Sequence, residues 1–396
     1  MKILLLAPHP FYQARGTPIA VKTVLEFLSE RGHTVDVLTY SEGADVEIPN
    51  CKVYRTLRVP GLRNIRAGFS FKKIVSDVLM VASCLGMMRR TRYDLIHAVE
   101  ESAFIASGIR TFSGVPYVYD MDSSLAEQMV ETYPSLGFFS PAFRRMEAVA
   151  IRRSIGVLTV CAALEDIALA HDPQKPVGRV EDTTLLSDGE PASRDGRALP
   201  GAEGGPVAMY VGNLEPYQGI DLLLEGFRHT LDQMREARLV IVGGQDADIA
   251  RYGERAVGLG IRQAVHFLGP RPVSALGHLL READVLVSPR LRGLNTPMKI
   301  YSYLDSGSAV LATRLRTHTQ VLDDDVAYLV DPEPAALGQG LAALLRDPAL
   351  RSRLATSAKA YVQREHTPQA ARRKLEAFYT KMEAQVRQAT APVATS

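Results

Sequence analysis

Met1-Lys-Ile-Leu-Leu-Leu-Ala7, the loop 8–18, the helical stretch 19–31 closed by Gly32, and Thr34-Val-Asp-Val-Leu-Thr39 together decide the fold. The first segment is an unbroken apolar run, as expected of a central parallel strand covered on both faces. Gly32 is a stop signal for the helix before it. The pieces form a strand–loop–helix–strand unit whose crossover should be right-handed. The same order recurs, with strands expected at 95–98, 117–121 and 156–160. Helical patterns run from the strand at 95–98 to Phe112 and over 140–154. Such alternation predicts a parallel sheet with helices on both faces. Ligands of such sheets sit at the carboxyl ends of the strands. The loops of interest are therefore 8–18, 99–102, 120–124 and the one that begins at Cys161.

Residues 187–206 are rich in Gly, Pro, Ser, Asp and Glu, lack an apolar period, and read as a linker. The pattern then restarts with a strand at 207–211. Helix 219–234, strand 239–242 ending in Gly243-Gly244, and strand 264–267 ending at Gly269 follow. Next come helix 273–282, strand 285–288, helix 297–306 and strand 309–312, and residues 334–383 read as almost all helix. The fold class is therefore α/β, with two Rossmann-like domains. Their expected bounds are 1–186 and 207–366, with 367–396 a C-terminal helix and tail.

The chain has 396 residues, too many for one ordinary core. Apolar residues make up 46% and charged residues 23%, a globular balance. A net charge of +2 gives no global reason for nucleic-acid binding. Cys51, Cys84 and Cys161 lie far apart without metal-ligand spacing, which fits a reducing compartment. The N-terminus reads as a buried strand and not as a secretory leader, so a cytoplasmic location is expected. Residues 74–88 are mostly apolar, too short to span a bilayer, and flanked by Arg63, Arg66, Lys72, Lys73, Arg89, Arg90 and Arg92. They read first as a core helix. The second reading is peripheral contact with the inner face of an anionic membrane.

Several motifs resemble glycosyltransferase family 4 in order and spacing. The start Met1–Ala7 with Arg15-Gly-Thr and Glu30-Arg-Gly-His-Thr-Val-Asp-Val-Leu-Thr39 is one. Val211-Gly-Asn-Leu-Glu-Pro-Tyr-Gln-Gly-Ile-Asp221, Leu239-Val-Ile-Val-Gly-Gly244, His266-Phe-Leu-Gly269 and Ala283-Asp-Val-Leu-Val-Ser-Pro289 are others. Asn295-Thr-Pro-Met-Lys-Ile-Tyr-Ser-Tyr-Leu304 with Gly307 resembles the family's donor-site helix. The resemblance covers nearly the whole chain. It implies a GT-B fold with two domains facing each other across a cleft, and a nucleotide-sugar co-substrate, UDP- or GDP-linked. It also implies retention at the anomeric carbon, no required metal, and a last helix that returns to the first domain.

Transfer from a nucleoside diphosphate builds positive charge on the sugar and negative charge on the leaving group. Without a metal, the protein must supply cations and hydrogen-bond donors. A helix N-terminus favours an anion. Asn295-Thr296-Pro297-Met298 reads as a capped helix start, with Lys299 in its first turn reaching the diphosphate. Gly16 and Thr17 would let backbone approach the same phosphate, and Gly244 and Gly269 end strands at that pocket.

The departures are specific. The family's arginine and lysine after the first strand of its second domain fall at Asn213 and Gln218, both neutral. Its paired glutamates fall at Leu294 and Ser302, and Ser302 can still hydrogen-bond a ribose hydroxyl. Arg271, Arg290 and Arg292, at or after strand ends, are candidate replacement cations. In the loop 120–124, Asp122 is the nearest match to a family histidine and a candidate partner of the sugar. Glu100 and Glu101 are acceptor-side candidates, and His97 reads as a core histidine. Asp120-Met-Asp122 is short for a metal motif.

The expected activity is a hexosyltransferase acting on a glycan or lipid-linked acceptor, in exopolysaccharide, glycolipid or cell-envelope biosynthesis. The alternatives are a catalytically silent GT-B nucleotide-binding protein and a sugar-nucleotide epimerase. A nicotinamide dehydrogenase is disfavoured, because no strand is followed by Gly-x-Gly-x-x-Gly.

Overall fold

The computed structural model describes residues 1–13, 16–60, 62, 71–132, 138–186 and 204–390. The chain divides into two compact units, Met1–Glu181 with Arg372–Ser396, and Asp182–Ala371. Most of the segment read as a linker, 187–203, lies outside the described residues, as does Arg15.

The first unit runs β1 (Lys2–Ala7), α1 (Gly16–Glu30), β2 (Thr34–Thr39), β3 (Cys51–Arg55), α2 (Phe71–Arg90), β4 (Leu95–Val99), α3 (Ser102–Ser113) and β5 (Tyr117–Met121). It continues with α4 (Leu125–Thr132), α5 (Ser140–Arg153), β6 (Gly156–Thr159), α6 (Ala162–His171) and β7 (Val177–Arg179). The strands pair in parallel in the order β3-β2-β1-β4-β5-β6-β7. Central β1 is fully buried from Ile3 to Ala7, which is why its sequence is apolar without alternation. Strand order reverses between β1 and β4. The carboxyl ends of those two strands are therefore the switch point of this sheet.

The second unit runs β8 (Val207–Val211), α7 (Ile220–Gln233), β9 (Arg238–Val242), α8 (Asp246–Gly258), β10 (Val265–Gly269), α9 (Leu276–Arg281) and β11 (Val285–Ser288). Then come α10 (Lys299–Asp305), β12 (Ala309–Thr313), α11 (Arg316–Thr319), β13 (Tyr328–Val330), α12 (Pro334–Arg346) and α13 (Pro348–Glu365). Its strands are parallel in the order β10-β9-β8-β11-β12-β13, with the switch point between β8 and β11. Successive side chains of β8 feed opposite cores: Ala208 and Tyr210 pack with Leu223, Phe227 and Leu341, whereas Val207 and Met209 pack with Leu286, Ile300 and Tyr303.

The last helix, α14 (Pro368–Thr390), crosses the division between the units and returns to the first one. Leu375, Phe378, Tyr379 and Met382 join the core of β1, β2 and α1. Gly156 makes room for it, since a Cβ there would stand 2.5 Å from Met382 Sδ. Polar contacts fix the seat: Arg31 binds Glu376 and Glu383, His33 Nε2 lies 2.9 Å from Glu383 Oε1, and Lys374 binds Glu181.

Burial works to raise the Glu383 pKa, but the hydrogen bonds from Arg31 and His33 prevail and hold it below the usual carboxylate range. A depressed acid contributes stability above its unfolded pKa and loses it as pH falls through the folded one. Glu383→Gln should therefore cost about 1–3 kcal/mol at neutral pH, for a hydrogen bond to charged groups. The difference from wild type should shrink as pH falls below the unfolded value of about 4.3 and be gone once the folded carboxyl protonates too. Thermal melts across pH check this.

Candidate functional site

In the second unit, the loops after β8, β9 and β10 interlock on the β8 side of the switch point. Gly212 N donates to Val242 O at 3.0 Å, and Gly243 N to Gly269 O at 2.8 Å. Gly243 has φ +110°, and a Cβ on it would stand 2.1 Å from Gly212 O. Only glycine allows this approach. Gly244 and Gly269 complete the weave with left-handed φ of +82° and +69°.

Lys299 opens α10 and reaches into this floor. Its Nζ lies 3.8 Å from the centre of the Tyr210 ring and makes no hydrogen bond. Part of the residue is exposed, but the ammonium nitrogen itself is buried. Burial first, and the like charge of Arg290 second, push its pKa well below the ordinary lysine value. The ring face is a weak partner for a desolvated charge. Two more buried polar atoms without partners, Gln218 Oε1 and Thr296 Oγ1, lie in the segments that follow β8 and β11. Buried polar atoms are almost always satisfied, so three such atoms in the segments flanking one switch point mark a ligand site.

Arg290 follows β11 and is 8% exposed. Its Nε donates to Arg292 O at 2.6 Å, its Nη2 to Asn295 Oδ1 at 3.3 Å, and its guanidinium lies over the Tyr217 ring. The strand end behind it is braced by neutral groups. Thr313 Oγ1 donates to Arg290 O at 2.6 Å, and His318 Nδ1 to Thr313 O at 2.8 Å, leaving His318 Nε2 to accept from Ser288 Oγ at 2.9 Å. Burial, with smaller contributions from Arg290 and Lys299, lowers the His318 pKa to about 4, so its ring is neutral near pH 7. The site thus gathers positive charge. An unpaired buried cation is costly until an anion arrives.

Some expected site residues stand elsewhere or act otherwise. The helix expected from 297 begins at Lys299, with Met298 as N-cap and no side-chain cap bond. Asn295 and Thr296 are therefore not caps: Asn295 Oδ1 accepts from Arg290, its carbonyl accepts from Thr317, and Thr296 Oγ1 is unpartnered. Ile300 N donates to Pro297 O at 2.9 Å, a three-residue turn that leads into the helix. With seven residues, α10 offers little dipole, so the case for an anion rests on side chains. Ser302 is buried and its Oγ accepts the Leu185 N–H at 3.0 Å, so it ties down the entry segment of this unit. Asn213 and Arg292 are exposed, and exposed Arg271 donates to Pro270 O at 3.2 Å, as a solvated loop arginine does. Tyr210 and His318 were not read as site residues. Their partners lie on other loops, and no local pattern announces them.

In the first unit, Gly16 and Thr17 open α1, and Gly16 is exposed with φ +37°. His97 is fully buried, with Nε2 2.8 Å from Asp120 Oδ2 and Nδ1 2.5 Å from Tyr379 Oη, so it is a satisfied core histidine. Asp120 is committed to that pair, whereas Asp122 is buried in the loop after β5. Glu100 follows β4 with φ +48°, and burial with neighbouring Glu101 raises its pKa to about 7. Asp77 of α2 is likewise raised to about 7, accepts from Tyr40 Oη, and sits near the Lys73–Glu101 ion pair of 2.6 Å. Among the described residues, no group of three or more His, Cys, Asp or Glu could hold a metal ion.

Residues 14–180 match the model described as Glycosyltransferase Family 4, and residues 194–361 the one described as Glycosyl transferases group 1. The chain is 30% identical to a D-inositol 3-phosphate glycosyltransferase of Acidothermus cellulolyticus, over 89% of this chain and 83% of that one. It is 25% identical to a phosphatidyl-myo-inositol mannosyltransferase of Mycobacterium tuberculosis, over 92% of this chain and 93% of that one. In structure it resembles a sucrose-phosphate synthase from Thermosynechococcus elongatus, with TM-score 0.79, 21% identity, and coverage of 97% and 99%. It also resembles Anabaena HepE crystallised with UDP-glucose, with TM-score 0.73, 16% identity, and coverage of 97% and 100%.

Proposed function

This chain belongs to glycosyltransferase family 4, has the GT-B fold and takes a nucleotide-sugar donor, and from that premise we propose how its divergent donor site works. The enzyme transfers a hexosyl group, with retention, from a UDP- or GDP-linked donor to a hydroxyl of a glycan or lipid-linked acceptor. Lys299 and Arg290 take the place of the arginine and lysine that the resemblance puts at Asn213 and Gln218. As the sugar–phosphate bond breaks, negative charge grows on the diphosphate, and a fixed, desolvated cation is worth most at that moment. Thr296 and Gln218 bring hydrogen-bonding groups to the same pocket. Asp122, at the carboxyl end of the first sheet, is the carboxylate assigned to the sugar hydroxyls. With cations supplied by the protein, the reaction needs no metal.

The observation that carries this reading is the buried, unpartnered Lys299 ammonium beside Arg290. Relatives named for inositol-based acceptors support a polyol hydroxyl carried on a lipid or a phosphate. A role in cell-envelope, glycolipid or exopolysaccharide biosynthesis fits that acceptor, as does work at the cytoplasmic face of a membrane.

The test is nucleoside diphosphate release by the purified chain with UDP-, GDP- and ADP-sugars, with and without inositol phosphates and lipid-extract acceptors. One UDP- or GDP-sugar should give release that an acceptor accelerates tenfold or more. No binding and no release with any donor would overturn the reading.

A further inference from the structure

We propose that Lys299 is a carbamylation site: its amine adds carbon dioxide reversibly, and the carbamate closes the donor pocket to a diphosphate. The effect on the donor rests on the reading of that pocket given above. The modification itself rests only on the amine and its surroundings.

A lysine carbamate forms where a free amine is sheltered from water and a cation waits for the product. The Lys299 Nζ is buried, makes no hydrogen bond and faces the Tyr210 ring at 3.8 Å. The Tyr210 hydroxyl is engaged elsewhere, donating to Asn213 O at 2.6 Å. No carboxylate acts to hold the ammonium form. Burial and the like charge of Arg290 both work against it. They enlarge the fraction present as free amine, the only form that attacks carbon dioxide.

Lys73 is the contrast within the same chain. Its Nζ pairs with Glu101 at 2.6 Å. Burial works to lower its pKa, but Glu101 and Glu100 prevail and raise it, so its lone pair stays protonated. Lys2, Lys175 and Lys374 are likewise paired with Asp36, Asp172 and Glu181. Lys299 is thus set apart from these by enclosure without an acid.

The reaction balances without an oxidant or reductant. The nitrogen lone pair forms an N–C bond to carbon dioxide, one C=O π pair moves onto oxygen, and the nitrogen releases a proton to water. Charge at the site reverses. An ammonium beside the Arg290 guanidinium sets two like charges in a dry floor, whereas a carbamate beside it makes an ion pair. Arg290 is 8% exposed, so that pair is poorly screened. The buried Thr296 hydroxyl, which has no partner, adds a hydrogen-bond donor in the segment leading to Lys299. His318 is neutral near pH 7 and opposes nothing. Carbon dioxide is small and uncharged, and it enters where the donor phosphates would lie. The product puts a negative group where the diphosphate needs a positive one. By linkage, donor and carbon dioxide each weaken the other.

The full chain is incubated with carbon-13-labelled bicarbonate and dissolved carbon dioxide at fixed pH and ionic strength. Carbamate is read by carbon-13 NMR, and it is trapped as an ester with a trialkyloxonium salt before peptide mass spectrometry. The ester should appear at Lys299, exceed that at exposed Lys52 and Lys359, be absent from Lys73, and fall when a UDP- or GDP-sugar is added. Lys299→Met should lose the NMR signal. Where nine-tenths of Lys299 is carbamylated, calorimetry should show donor binding about tenfold weaker, because only the free fraction is competent. No ester at Lys299, or no more than at Lys52 and Lys359, would overturn the proposal. So would weaker donor binding without any trapped ester, since bicarbonate would then act as a bound ion. A trapped ester with unchanged donor affinity would overturn the closing of the pocket. Trapping is read without donor or turnover, so its failure is distinguishable from failure of the transferase reading.

Discussion

Lys299→Met should yield a protein that melts higher than wild type and has lost its donor. Methionine keeps the length of the stem and removes the charge. In the protein without donor, the ammonium is buried with a ring face and a like-charged arginine for company. Removing it relieves a desolvation cost that nothing nearby offsets. The donor diphosphate offsets it in the wild type, so binding should fall tenfold or more, about 1.5–3 kcal/mol for a hydrogen bond to a charged group.

The pH signature separates this from a surface lysine. The folded pKa of Lys299 lies well below the unfolded value of about 10.4. Between the two values the unfolded chain holds one more proton, so stability of the free protein rises with pH there. Below the folded pKa the full cost is present. Lys299→Met should lack that rise in melts taken across pH. The donor reverses the shift, because a diphosphate raises the lysine pKa again. Binding should then take up protons and weaken as pH climbs. Calorimetry in buffers of different ionisation enthalpy reads the uptake.

Gly243→Val should damage fold and site together. The position has φ +110°, and the new Cβ would meet a backbone carbonyl at 2.1 Å, with no flexible side chain to swing away. Backbone strain of this kind costs about 1–3 kcal/mol, and displacing the Gly212 carbonyl brings the expected loss to about 2–4 kcal/mol. The same carbonyl loop packs against Lys299, since a Cβ on Gly212 would stand 3.0 Å from its Nζ. Soluble yield, melting temperature and donor affinity should fall together. A variant that melts like wild type would mean that the strand-end loops are softer than their contacts suggest.

The central strands were legible because burial on both faces leaves an unmistakable mark. Lys2–Ala7 and Thr34–Thr39 are read from composition alone, and β8, β11 and β12 nearly so. Of the edge strands, β10 was legible, but β7 and β13 have three residues each, too few to show a period. Edge strand β3, partly exposed along most of its length, has no apolar run. Helix α8, with Tyr252 and Ala256 on its buried face, was not assigned from the sequence. At the site, Lys299 was visible as a position through its spacing from Pro297. Its enclosure was not, because Tyr210 and Arg290 arrive from other strand ends. Asn295 and Thr296 carried a capping pattern, but the helix begins beyond them at Lys299. Asn213 and Gln218 mark where cations are missing. Only the fold shows Arg290 turned to Asn295 and Tyr217, with Lys299 within reach of its charge.

The most direct test of the account is titration calorimetry of wild type and Lys299→Met with UDP-, GDP- and ADP-sugars at two pH values. A UDP- or GDP-sugar should bind wild type, bind more weakly at the higher pH, and bind Lys299→Met at least about tenfold more weakly. Equal affinity for both proteins at both pH values would contradict a donor site built on the buried Lys299 cation.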